Sequence, residues 1–325
     1  MGFEIIMAPL QGCTDAVFRD VYFRHFTGVD QVVAPFISTM SQRRINISRL
    51  KDVLPANNIN SPGLIPQILG NHAGDFLFLA ENLISLGYVC VNWNLGCPHS
   101  KVANKKRGSG MLPFPVMVDE FLDHCRAFFG QSSCSLSIKL RLGRHDPDEI
   151  FRLLPIFEKY SIIDELILHP RTGVQMYNGK ADPDAFGRVA AGTSHDLVYN
   201  GDMVSVSSFE AVLRRFPEIK RFMIGRGILA NPFLPSEIKG DAPGRAEYPD
   251  RLKLFHDELF DAYCHKFYGP VHVTGRMKGF WSYLGKSFPG GAKAIKKMLK
   301  AKTREHYLAG AEAFFMEKIP FIPPG

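Results

Sequence analysis

The apolar positions of this chain fall into short runs that alternate with longer amphipathic stretches. The short runs are rich in β-branched and aromatic residues and predict strands, whereas apolar residues at helical spacing predict helices between them. The predicted strands are Phe3–Ala8, Asp30–Ala34, Leu64–Leu69, Tyr88–Asn94, Ser135–Leu140, Glu165–His169, Leu197–Asn200 and Arg221–Ile224. The predicted helices are Asp15–Phe26, His72–Leu86, Pro115–Phe129, Asp148–Lys159, Asp182–Ala190 and Ser205–Arg215.

Eight such units over about 235 residues predict an α/β fold of the (β/α)8 TIM-barrel type, for which about 250 residues is usual. A doubly wound sheet is the alternative, but no Gly-x-Gly-x-x-Gly motif opens the first helix. Residues 240–249 are polar and rich in turn formers, which predicts a linker. We therefore expect a catalytic barrel domain at 1–240 and a small, all-helical domain at 241–325.

The C-terminal part carries most of the net charge of +7, with 14 Lys and Arg against 8 Asp and Glu from residue 243 onward. Its predicted helices are Arg251–Phe267, Val271–Lys286 and Gly291–His306. The last of these would align four ammonium groups, those of Lys293, Lys296, Lys297 and Lys300. A solvated helix face is the commoner explanation for such a row, but the charge asymmetry favours contact with a polyanion.

Composition narrows the class of protein further. No apolar run approaches the roughly 18 residues of a membrane helix, and no basic and apolar leader opens the chain, so we expect a cytoplasmic protein without a membrane segment. The six cysteines form no Cys-x-x-Cys pair and no zinc-type spacing with histidine, so we expect reduced thiols and no metal. A monomer is expected.

One thiol lies where chemistry is expected, in the segment Asn-Leu-Gly-Cys-Pro at 94–98. Gly96 and Pro98 break the fourth strand, which turns Cys97 into the loop at its C-terminal end. Barrel enzymes keep their catalytic groups at this end. Most free cysteines are small apolar core residues, but Cys90, inside the strand, fits that explanation better. We predict that Cys97 is catalytic.

The other strand ends carry polar groups that a closed barrel brings to one face. Glycines after strands 7 and 8 let backbone N–H groups approach a phosphate, to which Arg226 adds a charge. With Lys139 and Gln67 across the mouth, this set predicts flavin mononucleotide (FMN): Lys139 would stabilise the reduced ring and Gln67 would bind its pyrimidine edge. The predicted cofactor-binding residues are Pro9, Leu10, Gln11, Gln67, Lys139, His169, Asn200, Gly201, Asp202, Gly225 and Arg226. An ion pair with a neighbouring carboxylate is the structural alternative for Lys139.

The chain resembles the tRNA-dihydrouridine synthases over essentially its whole length. The resemblance lies in Met-Ala-Pro-Leu-Gln-Gly-Cys-Thr-Asp at 7–15, Asn-Leu-Gly-Cys-Pro at 94–98, Lys-Leu-Arg-Leu-Gly at 139–143, His-Pro-Arg-Thr at 169–172 and Met-Ile-Gly-Arg-Gly at 223–227. The run 272–284 is similar to the branch that reduces uridine 16 of the tRNA D loop.

This resemblance implies an enzyme that binds FMN, is reduced by NADPH, and reduces the C5–C6 double bond of a uridine in tRNA. Cys97 would be the general acid that protonates C5 while hydride reaches C6. A cysteine of ordinary pKa is protonated at neutral pH, which agrees with that role. However, His99 could act as a base, and Lys101 with the basic run 105–107 could lower the thiol pKa, so a nucleophilic role stays open.

The target uridine must leave the tRNA fold to reach the barrel mouth. Asn94 would bind the uracil edge, and Tyr177 matches a tyrosine of the family that contacts substrate, although a packed loop aromatic is an equal interpretation. The full set of predicted substrate-binding residues is Asn94, Arg141, Arg171, Tyr177, Arg276 and Lys278.

Two other functions fit parts of the sequence. An FMN barrel oxidoreductase for a small molecule such as dihydroorotate would not need the basic C-terminal part. A catalytically silent RNA-binding protein would not need the intact set of Cys97, Lys139, His169 and Arg171.

Overall fold

The computed structural model describes residues 2–41, 45–267 and 269–324. Its single sheet is parallel throughout. The strands are β1 (Glu4–Met7), β2 (Gln31–Val33), β3 (Ile37–Ser38), β4 (Leu64–Ile65), β5 (Gln67–Leu69), β6 (Cys90–Leu95), β7 (Ser135–Gly143), β8 (Ile163–Thr172), β9 (Asp196–Tyr199) and β10 (Arg221–Ile224). Each of the eight predicted strands is present, and Ile37–Ser38 is a short addition that the sequence did not indicate.

The sheet closes into a barrel at the predicted third strand. That strand is divided at Pro66, which has no N–H to donate to a neighbour. Its first half, β4, pairs with β2, and its second half, β5, pairs with β6 and β3. Pairing then runs through β7, β8, β9 and β10 to β1 and back to β2, so the predicted TIM barrel is confirmed.

Helices cover the outside of the barrel and continue after it. They are α1 (Ala16–His25), α2 (Ile47–Leu50), α3 (Ala73–Ser85), α4 (Ser100–Ala103), α5 (Pro115–Gln131), α6 (Ile150–Phe157), α7 (Pro183–Ala190), α8 (Val206–Arg215), α9 (Arg226–Ala230), α10 (Leu234–Lys239), α11 (Tyr248–Lys266), α12 (Pro270–Leu284), α13 (Ala292–Leu299) and α14 (Arg304–Met316). Polar side chains cap the start of four of the six predicted barrel helices, α1, α3, α7 and α8; for example, the Asp15 side chain accepts from the amide of Phe18. In the part of the chain that the structure describes, no helix is both long and apolar enough to cross a membrane.

The C-terminal helices differ from the prediction at one place. A single helix over 291–306 was expected, but α13 ends at Leu299 and α14 starts after Thr303. The Thr303 side chain accepts from the amide of His306, which starts a new helix instead of continuing the old one. Lys300 is therefore the C-cap residue of α13 and not part of the helix. All four predicted lysines are exposed.

Helices α11 and α12 pack against α1 through aromatic side chains. The Phe18 ring lies 5.9 Å from both the Phe255 ring and the Phe280 ring, measured between centroids. The Tyr263 hydroxyl also donates to Asp15, at the start of α1, over 3.3 Å. One apolar core therefore continues from the outer layer of the barrel into the helices that follow it. The division into two domains at residue 240 stays a prediction.

Candidate active site

A cavity at the C-terminal mouth of the barrel brings most predicted cofactor residues together. Its lining comes from five strand ends and the loop after β8, and consists of Ala8, Pro9, Leu10, Lys139, His169, Tyr177, Asn200, Gly201, Gly225 and Arg226. The end of β1 supplies an apolar wall, and Lys139 and Arg226 supply cations. Three predicted cofactor residues, Gln11, Gln67 and Asp202, are not among its lining residues.

Lys139 carries a cation that the protein does not neutralise. Its ammonium forms no hydrogen bond or ion pair with any residue in the described ranges, which argues against the carboxylate alternative. Burial, helped by the nearby Arg141 guanidinium, lowers the pKa of Lys139 to about 7. A partly buried cation of this kind favours an anionic or strongly polar ligand.

His169 is a neutral donor beside this lysine. Its Nε2 lies 3.0 Å from Nη1 of Arg171, an obligate donor, so the ring proton must be on Nδ1. Burial, together with the surrounding cations, lowers the pKa of His169 well below its ordinary value. Its Nδ1–H makes no hydrogen bond to a described residue and is available to a ligand in the cavity.

Asp202 holds two arginines in place. It accepts from Nη2 of Arg171 at 2.5 Å, from Nη2 of Arg226 at 2.6 Å, and from the amide of Ala181 at 3.0 Å. Burial opposes ionisation of Asp202, but the bonds from Arg171 and Ala181 lower its pKa overall. Asp202 therefore fixes the orientation of Arg226. Arg171, which was predicted to bind substrate, is almost completely buried. One nitrogen of that guanidinium, Nε, is buried without a partner.

A chain of buried amides lies beneath the mouth. Gln67 has no exposed surface; its Nε2 donates to Asn92 and its Oε1 accepts from Nδ2 of Asn94, each over 2.7 Å. The Oδ1 of Asn94 accepts from the amides of Gly96 and Cys97 at 3.1 and 2.9 Å. In this structure Asn94 shapes the loop that carries the thiol, and only one N–H of its amide is left for a uracil edge.

Hydrogen bonds from three side chains fix the backbone of the Cys97 loop. The carbonyl of Cys97 accepts from the Ser109 hydroxyl at 3.0 Å and from the Ser109 amide at 3.1 Å. The carbonyl of Pro98 accepts from Arg144 at 2.9 Å, and the carbonyl of Gly96 accepts from Nε of Arg141 at 3.0 Å. Three successive carbonyls are thus satisfied, which holds the thiol in one position.

Sequence reasoning missed Ser109 and Arg144. The one sequence feature that could have indicated a contact between this segment and the Cys97 loop is Gly108, which precedes Ser109. Gly108 has a positive φ of 55°, and a Cβ there would lie 2.8 Å from the Cys97 carbonyl oxygen. The close approach of the two loops therefore requires glycine.

The surroundings of Cys97 favour a protonated thiol. Burial raises its pKa, and the His99 amide and the cations of Arg141, Lys139 and Arg144 only partly oppose this. The His99 ring is exposed, and its Nδ1 accepts from the amide of Lys101 at 3.3 Å, so it is not placed as a base. The largest influences on the thiol pKa are burial, the His99 amide and the Arg141, Lys139 and Arg144 cations, and the 101–107 cations are not among them.

Arg141, which was predicted to bind substrate, is only 2% exposed, and its guanidinium joins loops within the protein. Besides Gly96, its guanidinium donates to the carbonyls of Thr172 and Met176 at 2.8 and 2.7 Å. Met176 has a φ of 50°, which is uncommon outside glycine, and its carbonyl is held by this bond. Arg141 therefore fixes the thiol loop relative to the loop that carries Tyr177.

Tyr177 is the predicted substrate residue that lies most openly at the mouth. Its ring is 40% exposed and lies 4.5 Å from Cζ of Arg226 and 5.5 Å from Cζ of Arg141, measured to the ring centroid. The His169 ring is 6.0 Å away. An exposed aromatic ring of this kind, next to cationic side chains, can stack on a nucleobase.

Arg276 and Lys278 lie on α12, beside the end of β1. Arg276 is paired with Asp15 at 3.4 Å, and its guanidinium lies 5.2 Å from the Phe267 ring centroid, so it binds the helix to the barrel. Lys278 is exposed and has no partner among the described residues, as a phosphate contact requires. Gln11 lines a separate cleft with Arg276.

No group of three or more His, Cys, Asp or Glu side chains within the described ranges could hold a metal ion.

Comparisons with known proteins show the family of the chain. The dihydrouridine synthase (Dus) family model matches residues 6–267. A tRNA-dihydrouridine synthase B of Pseudomonas putida is 25% identical over 97% of this chain and 92% of its own length. A tRNA-dihydrouridine(16) synthase of Cupriavidus necator is 28% identical over 94% of this chain and 97% of its own length.

Solved structures agree on the fold. A 2-naphthoyl-CoA reductase has a TM-score of 0.57 at 12% identity, over 74% of this chain and 50% of that one. Morphinone reductase has a TM-score of 0.52 at 13% identity, over 74% of this chain and 86% of that one. These likenesses concern the barrel alone. Because the family model covers most of its length, the chain belongs to the dihydrouridine synthase family and is an enzyme.

Proposed function

We propose that this protein is an FMN-dependent tRNA-dihydrouridine synthase that uses NADPH to reduce the C5–C6 double bond of a D-loop uridine, with Cys97 as the general acid. The observation that carries the proposal is the Cys97 thiol itself. It is held rigidly at the barrel mouth, its pKa is raised, and no residue of the described ranges is placed beside it as a base. Such a thiol is suited to donate a proton and poorly suited to act as a nucleophile.

The residues of the mouth cavity fit FMN. Lys139 and the Nδ1–H of His169 offer a cation and a donor that lack protein partners, and Arg226 is oriented by Asp202. A Cβ on Gly201 would lie 2.3 Å from the Tyr199 hydroxyl, so a side chain at this position would require the Tyr199 ring to move. When bound, FMN would transfer to uracil C6 the hydride that NADPH supplies.

The protein's own part in the reaction is to place the uracil and deliver a proton. Tyr177 would stack on the displaced uridine, and the remaining N–H of the Asn94 amide would bind its edge. The Cys97 sulfur would give its proton to C5 and regain one from solvent. Arg141 and Ser109 would act by holding that sulfur at a fixed position relative to the base.

Two observations support uridine 16 as the target. Relatives named tRNA-dihydrouridine(16) synthase match the chain over nearly its full length, as do relatives named tRNA-dihydrouridine synthase B. The run 272–284 supplies the additional likeness to the uridine-16 branch, and it lies within α12, where Lys278 is exposed. A cytoplasmic location and a monomeric state remain predictions.

The test is a reaction of the purified protein with FMN, NADPH and an unmodified tRNA transcript, followed by position-resolved mapping of dihydrouridine. We expect NADPH oxidation that depends on tRNA and dihydrouridine at position 16. NADPH oxidation driven by dihydroorotate or its oxidised form, with none driven by tRNA, would replace the proposal by a metabolite reductase. A protein that binds tRNA but holds no flavin would refute any redox function.

A further inference from the structure

A basic segment directly after the catalytic loop has no role in the site described above. Residues 82–118 contain no Asp or Glu, yet Lys101, Lys105, Lys106 and Arg107 lie within seven positions of one another. Lys101, Lys105 and Lys106 are exposed. We call residues 101–107 the basic loop.

The basic loop has a fixed backbone and unneutralised charges. The Asn71 side chain holds it by donating to the Lys105 carbonyl and accepting from Nε of Arg107, both at 3.1 Å. Lys106 has a φ of 51°, and its ammonium lies 4.4 Å from the centroid of the half-exposed Phe114 ring. None of the four cations forms an ion pair with a carboxylate of the described residues.

The position of the loop limits what it can bind. It follows β6, the fourth of the eight barrel strands, and Gly108 at its end touches the Cys97 backbone. Helix α12, which carries Lys278, is bound through the Arg276–Asp15 pair to the start of α1, the helix that follows β1. The fourth strand lies across the barrel from the junction of the first and eighth, so the two sets of cations lie on opposite sides of the mouth.

Two simpler roles receive no support from the site. The loop cations are not among the groups that most affect the pKa of the Cys97 thiol. They also do not line the mouth cavity with Lys139 and Arg226. What remains is a preformed row of solvent-facing cations with an aromatic ring, next to the position where a base must be received.

We propose that the basic loop binds backbone phosphates of the RNA strand that carries the target uridine, so that the strand is held on both sides of the mouth. This inference rests on the proposed function, because it takes tRNA as the substrate. Phosphate contacts of this kind position the strand without reading its sequence, and each one releases counterions.

The test compares the Lys101→Ala/Lys105→Ala double variant with a matched control, Lys159→Ala/Lys220→Ala. The control lysines are also exposed but precede β8 and β10, at the opposite end of the barrel. For the loop variant we expect the apparent KM for tRNA to rise about tenfold and the slope of log affinity against log salt to shrink by roughly 1.4 to 1.8. Reduction of bound FMN by NADPH and the thermal unfolding midpoint should match those of the control.

Salt slopes and KM for tRNA that equal those of the control would overturn the inference. A raised KM for NADPH with unchanged tRNA affinity would also overturn it, because the loop would then bind the dinucleotide. If the wild-type protein forms no dihydrouridine and has no affinity for tRNA, the proposed function fails instead, so the two failures are distinguishable.

Discussion

Replacement of Arg141 by alanine should reduce catalysis far more than it reduces stability. The side chain donates three hydrogen bonds to carbonyls, and bonds to a charged group contribute about 1.5 kcal/mol or more each. Against this, burial lowers the pKa of Arg141 from 12.5 to about 10, which at about 1.4 kcal/mol per pKa unit corresponds to a cost of about 3 kcal/mol. The two contributions nearly cancel, so we expect Arg141→Ala to lower the free energy of unfolding by only about 1 to 2 kcal/mol.

The effect on catalysis has a different origin. Without Arg141, the Gly96 and Met176 carbonyls lose their common partner, so the thiol and Tyr177 are no longer fixed relative to each other. A misplacement of about 1 Å can lower a rate about 100-fold, and Ser109 and Arg144 still hold part of the loop, so we expect a 10- to 100-fold fall in kcat.

The assay is rapid mixing that separates flavin reduction by NADPH from flavin oxidation by tRNA, beside urea unfolding. Only the oxidation by tRNA should slow, and Arg141→Lys should restore little, because one ammonium cannot span three carbonyls. An unchanged kcat with a raised KM for tRNA would show that Arg141 binds substrate directly, and the positioning argument would be refuted.

Three further predictions concern charge. Because burial raises the pKa of Cys97 and the protonated thiol is the active form, the rate of flavin oxidation by tRNA should stay constant from about pH 7 to pH 9 in a stopped-flow series and fall only above that. Because the pKa of Lys139 is about 7 and its ammonium form binds FMN, the affinity for FMN measured by fluorescence quenching should fall about tenfold between pH 6 and pH 8; Lys139→Met should bind FMN more weakly at pH 6 and lose the lysine-dependent part of this change. Salt titrations of tRNA binding should show a slope smaller by roughly 0.7 to 0.9 per lost contact after charge reversal of the α13 lysines, which are Lys293, Lys296, Lys297 and Lys300, whereas an unchanged slope would mean a merely solvated face.

The sequence predicted the barrel and the place of the thiol because both depend on local patterns. Apolar runs give the strands, and the break at Gly96 and Pro98 puts Cys97 at a strand end. Closure of a barrel then brings strand ends together whatever their separation in the chain, so Lys139 and Arg226 could be predicted to share one cavity, as they do.

The sequence could not show which polar side chains form hydrogen bonds within the protein and which are left free for a ligand. Arg141 binds three backbone carbonyls, and acceptors of this kind are present at every position of a chain and carry no pattern. The side chain of Asn94 likewise accepts from a backbone amide of its own loop, a contact that no sequence pattern indicates. The break in the last predicted helix depended on one hydrogen bond from His306 to Thr303, which competes with an otherwise continuous helical spacing.

Protonation of the uridine by Cys97 is tested most directly with Cys97→Ala and a matched Cys13→Ala control. Cys13 is also partly buried near the barrel mouth, and its pKa is raised to about 11. For Cys97→Ala we expect bound FMN, normal reduction by NADPH, and dihydrouridine formation in tRNA lowered about 100-fold or more, the usual contribution of a general acid. Cys13→Ala should remain active. Dihydrouridine formation by Cys97→Ala at a rate near that of the wild type would contradict the account, and its loss in Cys13→Ala would assign the proton to that thiol instead.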